Sequence, residues 1–184
     1  MKLNEIFLIN AGMNITRLNK ESYDGEKVYS NEDIINDLCH VSNDNSVSKI
    51  KFENRFVVRK GDILYNLATS KASVVSEANQ GKLFNQNFVQ LVSQTGDVDS
   101  KYVCFILNES QLIKKQMYKQ MQGSTVPKLT PSILGEIDIK LIELEKQKLL
   151  GHIYFSMNRL AYLSELESSL QQKLMTNILT KYES

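Results

Sequence analysis

From Leu144 to about Tyr182 the chain keeps helical spacing with no proline and a single glycine, Gly151, and no other stretch constrains the fold as much. Leu150, Ile153, Met157, Leu160, Leu163, Leu166, Leu170, Leu174 and Ile178 cover 28 positions in eight steps, a mean of 3.5. That is the repeat of a coiled-coil seam rather than the 3.6 of a straight surface helix. At 1.5 Å per residue such a helix runs roughly 58 Å, longer than a small domain is wide. The expectation is one long helix that leaves its own domain and packs its seam on another helix. The competing expectation is a C-terminal helix lying along its own core.

The 184 residues, 42% of them apolar, suffice for one core of about 140 residues plus that helix. One globular domain and one stalk are therefore predicted, with boundaries at 1–142 and 143–184. Cys39 and Cys104 are far apart and form no CxxC; Cys104 sits inside the apolar run 102–107 and reads as a small buried hydrophobe. The expectation is a reduced, cytoplasmic protein. Asn4, Glu5 and Asn10 interrupt the opening apolar stretch, and no window approaches 18 apolar residues, so nothing reads as a signal peptide or a membrane anchor.

A formal net charge of +1 conceals a separation along the chain. Glu21, Asp24, Glu26, Glu32, Asp33, Asp37 and Asp44 face only Lys27 in their stretch. Lys49, Lys51, Arg55, Arg59, Lys60 and Lys71 follow against Glu53 and Asp62, and later Lys101, Lys114, Lys115, Lys119 and Lys128 stand against Asp99 and Glu109. Two basic stretches meeting on one face would form the footprint of a polyanion binder; solvated lysines on an ordinary face are the alternative.

The pattern up to about residue 95 is mixed and mostly strand-like. Strands are expected at Glu5 to Ile9, Phe56 to Val58 and, after the turn Lys60-Gly61-Asp62, Ile63 to Leu67. Ala72 to Ser76 and Phe88 to Ser93 suggest a hairpin or two neighbouring strands. A helix is expected from Asp99 to about Met121, capped by Asp97 or Asp99 and ended by Gly123, then a turn-rich stretch between Pro127 and Pro131 and a last strand, Ile137 to Ile142. The predicted class is α+β: a mixed, β-rich domain followed by one long coiled-coil helix.

Catalytic constellations are missing from the sequence. Two histidines, His40 and His152, with no HExxH and no Cys/His cluster argue against a catalytic zinc, and P-loop, GxGxxG and GxSxG motifs are absent. An adenine methyltransferase would need an Asn-Pro-Pro-aromatic tetrapeptide, which neither proline provides. Glu136-Ile137-Asp138-Ile139-Lys140 alternates like part of a nuclease metal site, but so does any half-exposed strand. Catalytic and metal-binding residues are therefore predicted as none.

Five segments in order carry a family resemblance. They are Lys2-Leu3-Asn4-Glu5-Ile6 followed by Gly12; Lys60-Gly61-Asp62-Ile63-Leu64; Asn85-Gln86-Asn87-Phe88; Gly123-Ser124-Thr125-Val126-Pro127-Lys128-Leu129; and Leu134-Gly135-Glu136-Ile137-Asp138-Ile139, with a linker ending Leu144-Glu145-Lys146-Gln147 before the long helix. Together they resemble a target-recognition domain of the specificity subunits of type I restriction-modification enzymes. The chain departs from that family in its linker, Lys140-Leu141-Ile142-Glu143-Leu144, which lacks the usual prolines, and in Lys146-Gln147 where a Glu-Gln pair is usual. The family's usual subunit also has two recognition domains and two long helices, so this chain resembles half of one.

The resemblance implies a DNA reader that is not itself an enzyme. It implies no cofactor on this chain, with S-adenosylmethionine on a partner modification (methyltransferase) subunit, and a restriction/translocase subunit as a further partner. Two copies would form a homodimer through the nine seam residues, Leu150 to Ile178. Candidate DNA-contacting residues are Tyr65, Asn66, Thr69, Ser70, Lys71, Asn85, Gln86, Gln122, Ser124, Thr125 and Lys128, because phosphates are met by cations and hydroxyls, and bases by paired hydrogen-bonding groups. For each a structural role is open: Asn66 and Asn85 as turn formers, Tyr65 as a packed ring, Ser124 and Thr125 as fixing the turn before Pro127. A coiled-coil interaction protein without DNA affinity and an inactive truncated specificity subunit are the alternative readings.

Overall fold

The computed structural model describes residues 1–14, 27–40, 54–122 and 128–182. The chain enters as a short helix α1 (Leu3–Ile6), because the Lys2 backbone amide donates to the Glu5 carboxylate at 2.9 Å and Leu3 and Ile6, three apart, both bury. Strand β1 (Phe7–Ala11) begins only after this turn, so the strand expected from Glu5 starts two residues later. The acidic stretch, for which no helix is expected, contains helix α2 (Asn31–Cys39). Ser30 and Asp33 cap it reciprocally, with the Ser30 amide donating to Asp33 at 2.9 Å and the Asp33 amide to the Ser30 hydroxyl at 3.2 Å. Its buried face carries Ile34 and Leu38, and His40 ends it at a positive φ of 52°.

Strands β2 (Ile63–Asn66), β3 (Lys71–Val74) and β4 (Phe88–Ser93) complete an open antiparallel sheet of order β1-β4-β2-β3. The segments expected to form a hairpin or to lie side by side, β3 and β4, are separated by β2. The reason is loop length: β2 reaches β3 through four residues, closing a tight hairpin with Tyr65 opposite Ala72, whereas β2 also pairs with β4 in the register Tyr65 opposite Val89. Every residue of β2 is buried, since both sheet faces are covered. Ile63 and Tyr65 point into the main core, beside Phe7, Val89, Leu91, Val103, Leu107, Met117, Leu134 and Phe155. Leu64 points into a second, smaller core with Tyr29, Ile34, Val58, Val75, Phe84 and Phe88. The expected strand at Phe56 to Val58 is instead a 3-10 turn, Asn54–Phe56, and one bridging residue, Val57.

The helix expected over 99–121 is two helices, α3 (Ser100–Glu109) and α4 (Gln111–Met121). Asp99 caps the first as anticipated, its carboxylate accepting from the Tyr102 amide at 2.8 Å. Ser110 has an extended backbone and caps the second through the Ile113 amide, which breaks the run. Helix α5 (Pro131–Gly135) has proline in its first turn and a Thr130 cap, where only turns were expected. The predicted strand Ile137 to Ile142 is extended chain that makes a single bridge, Lys2 to Asp138. Among the described residues it gains no further strand partner, because the Gln116 side chain of α4 takes the Asp138 amide and carbonyl at 2.9 Å each, although Ile137 and Ile139 bury as alternation requires.

Helix α6 (Leu144–Lys181) spans 38 residues, about 57 Å at 1.5 Å each. It has two faces. Gln147, Gly151, Tyr154 and Phe155 bury against the domain, so the first turns do lie along their own core. The Gln147 side chain accepts from the Asp99 amide at 3.1 Å and donates to the carbonyls of Asp97 and Ile142 at 3.2 and 2.7 Å. Beyond Arg159, whose guanidinium donates to the Cys39 carbonyl at 3.3 Å, the helix stands clear, and Leu160 is 66% and Leu174 60% exposed. No helix among the described residues is long and apolar enough to cross a membrane.

Gly151 sets how closely α6 approaches α3. A methyl group there would lie 2.6 Å from an Asp99 carboxylate oxygen, 2.7 Å from the Tyr102 amide nitrogen and 2.8 Å from the Lys101 Cβ. Two of those neighbours belong to the capped first turn of α3, so neither yields cheaply. Gly151→Ala is expected to lower stability by about 1–3 kcal/mol despite the better helix propensity of alanine, measured as a reduced urea midpoint at unchanged slope.

Candidate nucleic-acid interface

The β2–β3 hairpin is closed by a side chain. The Asn66 carbonyl oxygen Oδ1 accepts from the amides of Ala68 at 2.8 Å and Thr69 at 3.0 Å, the Ser70 amide returns to the Asn66 backbone carbonyl at 2.9 Å, and Ser70 takes a positive φ of 54°. The Asn66 amide group donates to Asn31, tying the hairpin to α2. Asn66 is therefore buried and fully engaged, the turn-forming role left open for it. The hairpin end displays Leu67, Ala68, Thr69, Ser70 and Lys71 instead.

A second loop lies beside it. The Leu67 amide donates to the Asn87 carbonyl at 2.8 Å, the Asn85 side chain accepts from the Asn87 amide at 2.9 Å, and the Gln86 amide donates to the Met13 carbonyl at 2.9 Å. Gly12 makes this approach possible, because a Cβ at that position would sit 1.9 Å from the Asn85 carbonyl oxygen. With the loop backbone held, the Gln86 and Asn87 side chains face outward.

Helix α4 supplies the opposite wall through Lys114, Met117, Tyr118 and Met121, spaced to share one face. Lys128 and Leu129 complete a groove of about 570 Å³. Its floor is apolar: the Tyr65 ring, Leu67, Leu107, Met117 and Leu129. The Tyr65 hydroxyl donates to the Met117 sulfur at 3.6 Å, and burial raises its pKa, so it stays protonated. The rim is polar, with Ser70, Gln86, Asn87, Lys114, Tyr118 and Lys128.

Of the residues named from sequence, Tyr65, Ser70, Gln86 and Lys128 converge on the groove, Tyr65 as floor. Thr69 and Lys71 are exposed at the hairpin end, Asn85 holds its loop, and Gln122 is exposed where it ends α4. Ser124 and Thr125 lie outside the described residues, as do Lys49 and Lys51. Asn87 and Tyr118 were not named. The available signal was the i to i+4 spacing of Lys114 and Tyr118, which puts an aromatic beside a cation on one helical face. Among the described residues the basic stretches do not gather as wholes: Lys60 pairs with Glu77 at 2.7 Å, the Lys101 ammonium lies 5.4 Å from the Phe155 ring, and of these lysines only Lys114 and Lys128 line the groove. The nuclease-like pair is used structurally, Glu136 accepting from Lys2 and Asn4, and Asp138 facing the N-terminal ammonium at 3.6 Å. Lys2 holds the Glu136 carboxyl below its usual range.

Residues 1–176 match the family model described as the type I restriction modification DNA specificity domain, and the chain belongs to that family. Its fold is shared with solved chains, among them these three. One is the S subunit of a type I restriction-modification system from M. genitalium (TM-score 0.57, 16% identity, covering 91% of this chain and 41% of that one). Another is the HsdS subunit from Thermoanaerobacter tengcongensis (TM-score 0.52, 15% identity, 89% and 38%). The third is a chain from a structure of complex assembly and conformational transition of the type I R-M system (TM-score 0.58, 14% identity, 95% and 42%). This chain thus spans about two fifths of the length of the structures it matches. None of the curated proteins matches it.

The geometry separates fold-forming from surface residues. Asn66→Ala removes the one oxygen that accepts from two backbone amides, and the link to Asn31, and should cost about 1–3 kcal/mol in urea unfolding. Gln86→Ala should stay within roughly 0.5 kcal/mol of the parent, because among the described residues only its backbone is bonded. Equal losses for the two would refute this division.

Proposed function

We propose that this chain is a sequence-specific DNA-recognition subunit of a type I restriction-modification system, acting as a half-subunit that dimerises and directs partner methyltransferase and nuclease subunits to a bipartite target. It reads DNA and does no chemistry. S-adenosylmethionine belongs to the partner modification subunit, cleavage to the restriction/translocase subunit, and the site of action is the cytoplasm. Residues 1–142 form the recognition domain and 143–184 the helix for dimerisation and subunit docking. The reading is carried by one combination within a member of this family: a groove rimmed by Gln86, Asn87, Lys114 and Lys128, and a long helix whose nine seam residues are all exposed.

Lysine ammonium groups on the groove rim would meet phosphates, and the paired donors and acceptors of Gln86 and Asn87 would meet base edges. Lys114→Ala and Lys128→Ala, assayed with the modification subunit present, should each weaken binding on all sequences and reduce the slope of log affinity against log salt by about 1. Gln86→Ala should mainly relax base preference. Identical affinities for the three variants at every salt concentration would favour an interaction protein without DNA recognition.

Two identical readers related by a two-fold axis require a palindromic bipartite target with an unread gap. The helix sets the gap: about 57 Å corresponds to no more than roughly 17 base pairs at 3.4 Å each. Deleting one heptad, residues 164–170, should shorten the gap by a few base pairs and leave both half-sites unchanged, as read from methylated adenines. Leu160→Lys with Leu163→Lys should yield monomers in light scattering, since two charges would enter the seam.

A further inference from the structure

The exposed apolar stripe of α6 changes width along its length. In its middle it is a single row, Leu160, Leu163, Leu166 and Leu170. Near its end it doubles: Leu174, Met175, Ile178 and Leu179 are between 43% and 67% exposed, at positions i, i+1, i+4 and i+5. A two-helix seam uses one row. A doubled row fits a surface with two walls.

Such a surface lies at the opposite end of the same helix. Between α3 and α6 runs a groove of about 480 Å³ lined by Phe105, Glu109, Leu150, Ile153, Tyr154, Met157, Asn158 and Ala161. Its polar groups are already engaged: the Tyr154 hydroxyl donates to Glu109 at 3.1 Å and accepts from Asn108 at 3.0 Å, and the Asn158 amide donates to the Tyr154 carbonyl at 2.8 Å. What remains open is apolar and continuous with the seam through Leu150, Ile153 and Met157.

The seam is also complementary to itself when reversed. In a reversed register centred on Leu163, Leu160 falls opposite Leu166, Met157 and Ile153 come within one residue of facing Leu170 and Leu174, and Leu150 within two of facing Ile178. Handedness agrees. At 100° per residue, viewed from the N-terminus of α6, Met175 and Leu179 lie clockwise of the seam, the side on which Gly151, Tyr154 and Phe155 meet the domain. A two-fold axis perpendicular to the helices keeps that side common to both copies. Met175 and Leu179 of one copy then face α3 of the other. Residues 168–182 contain Lys173 and Lys181 and no acid, and the groove rim carries the carboxylate of Glu109, which Lys114 faces at 3.9 Å.

We propose that the groove between α3 and α6 is the seat for residues Leu174 to Leu179 of a second copy of this chain, so that each end of the helix pair is a three-helix joint fixing the domain to the stalk. This rests on the dimerisation reading above, and the test separates the two. Cys39 and Cys104 are buried and stay out of a surface cross-linking reaction. Under mild oxidation Leu163→Cys should cross-link to its own copy and Ile178→Cys should not. A mixture of Phe105→Cys chains and Met175→Cys chains should form a mixed disulfide. Met175→Ser with Leu179→Ser, which alters only exposed residues, should raise the dimer dissociation constant roughly tenfold or more. A monomer in light scattering overturns both readings. A dimer that cross-links through Ile178→Cys, or one that joins at Leu163→Cys while the Phe105/Met175 mixture stays reduced and the serine variant binds as the parent does, overturns the seat alone.

Discussion

The close approach of α6 to the start of α3 fixes how the stalk meets the domain. Three residues make it. Asp99 caps α3, Gln147 satisfies the Asp99 amide and two neighbouring carbonyls, and Gly151 leaves no side chain where the Tyr102 amide and Asp99 carboxylate need room. A buried glutamine with every contact made to backbone or cap is directional in a way that apolar packing is not. It fixes the rotation of α6 about its own axis, so that Tyr154 and Phe155 enter the core and the seam faces away. Tyr154 illustrates the cost of that seat: its hydroxyl, between Asn108 and Glu109, has a pKa pushed up to about 12, chiefly by burial.

The groove at the other side of α3 and α4 depends on a different economy. Its rim is polar because the polar groups that build it are consumed beneath the surface. Asn66 closes the hairpin, Asn85 holds the neighbouring loop, and Gly12 lets that loop sit against β1. Rigid backbone with outward-facing side chains is the arrangement in which base-reading residues can vary without loss of fold. The apolar floor, Tyr65 against Met117, is continuous with the main core and anchors the sheet to α4.

Much of the chain's organisation was legible along the sequence. The long helix, the Asp99 cap, strand β4 and most of β2 and β3 follow from periodicity and capping alone. The misplacements have specific causes. Helix α2 is only nine residues and its signal, Ser30 with Asp33, lay inside a stretch read for charge. Ser110 split a helical pattern whose apolar spacing runs on across the break. Ile137 to Ile142 alternates like a strand but finds one bridging partner among the described residues, because the Gln116 side chain occupies the backbone edge that a second strand would need.

Among candidate site residues, chemistry could be read and direction could not. Asn66, Asn85 and Gln86 are alike as residue types, yet two hold turns and one faces outward, a difference set by which loop amides lie within reach. Tyr118 and Asn87 joined the rim only when α4 was laid across the hairpin end. The sequence by itself determined a mixed domain with a long helix and the spacing of its seam, because periodic burial is a local property. The tertiary structure alone decided strand order, which lysines share a groove and which helix face seats on the domain, because those depend on contacts between residues far apart in the chain.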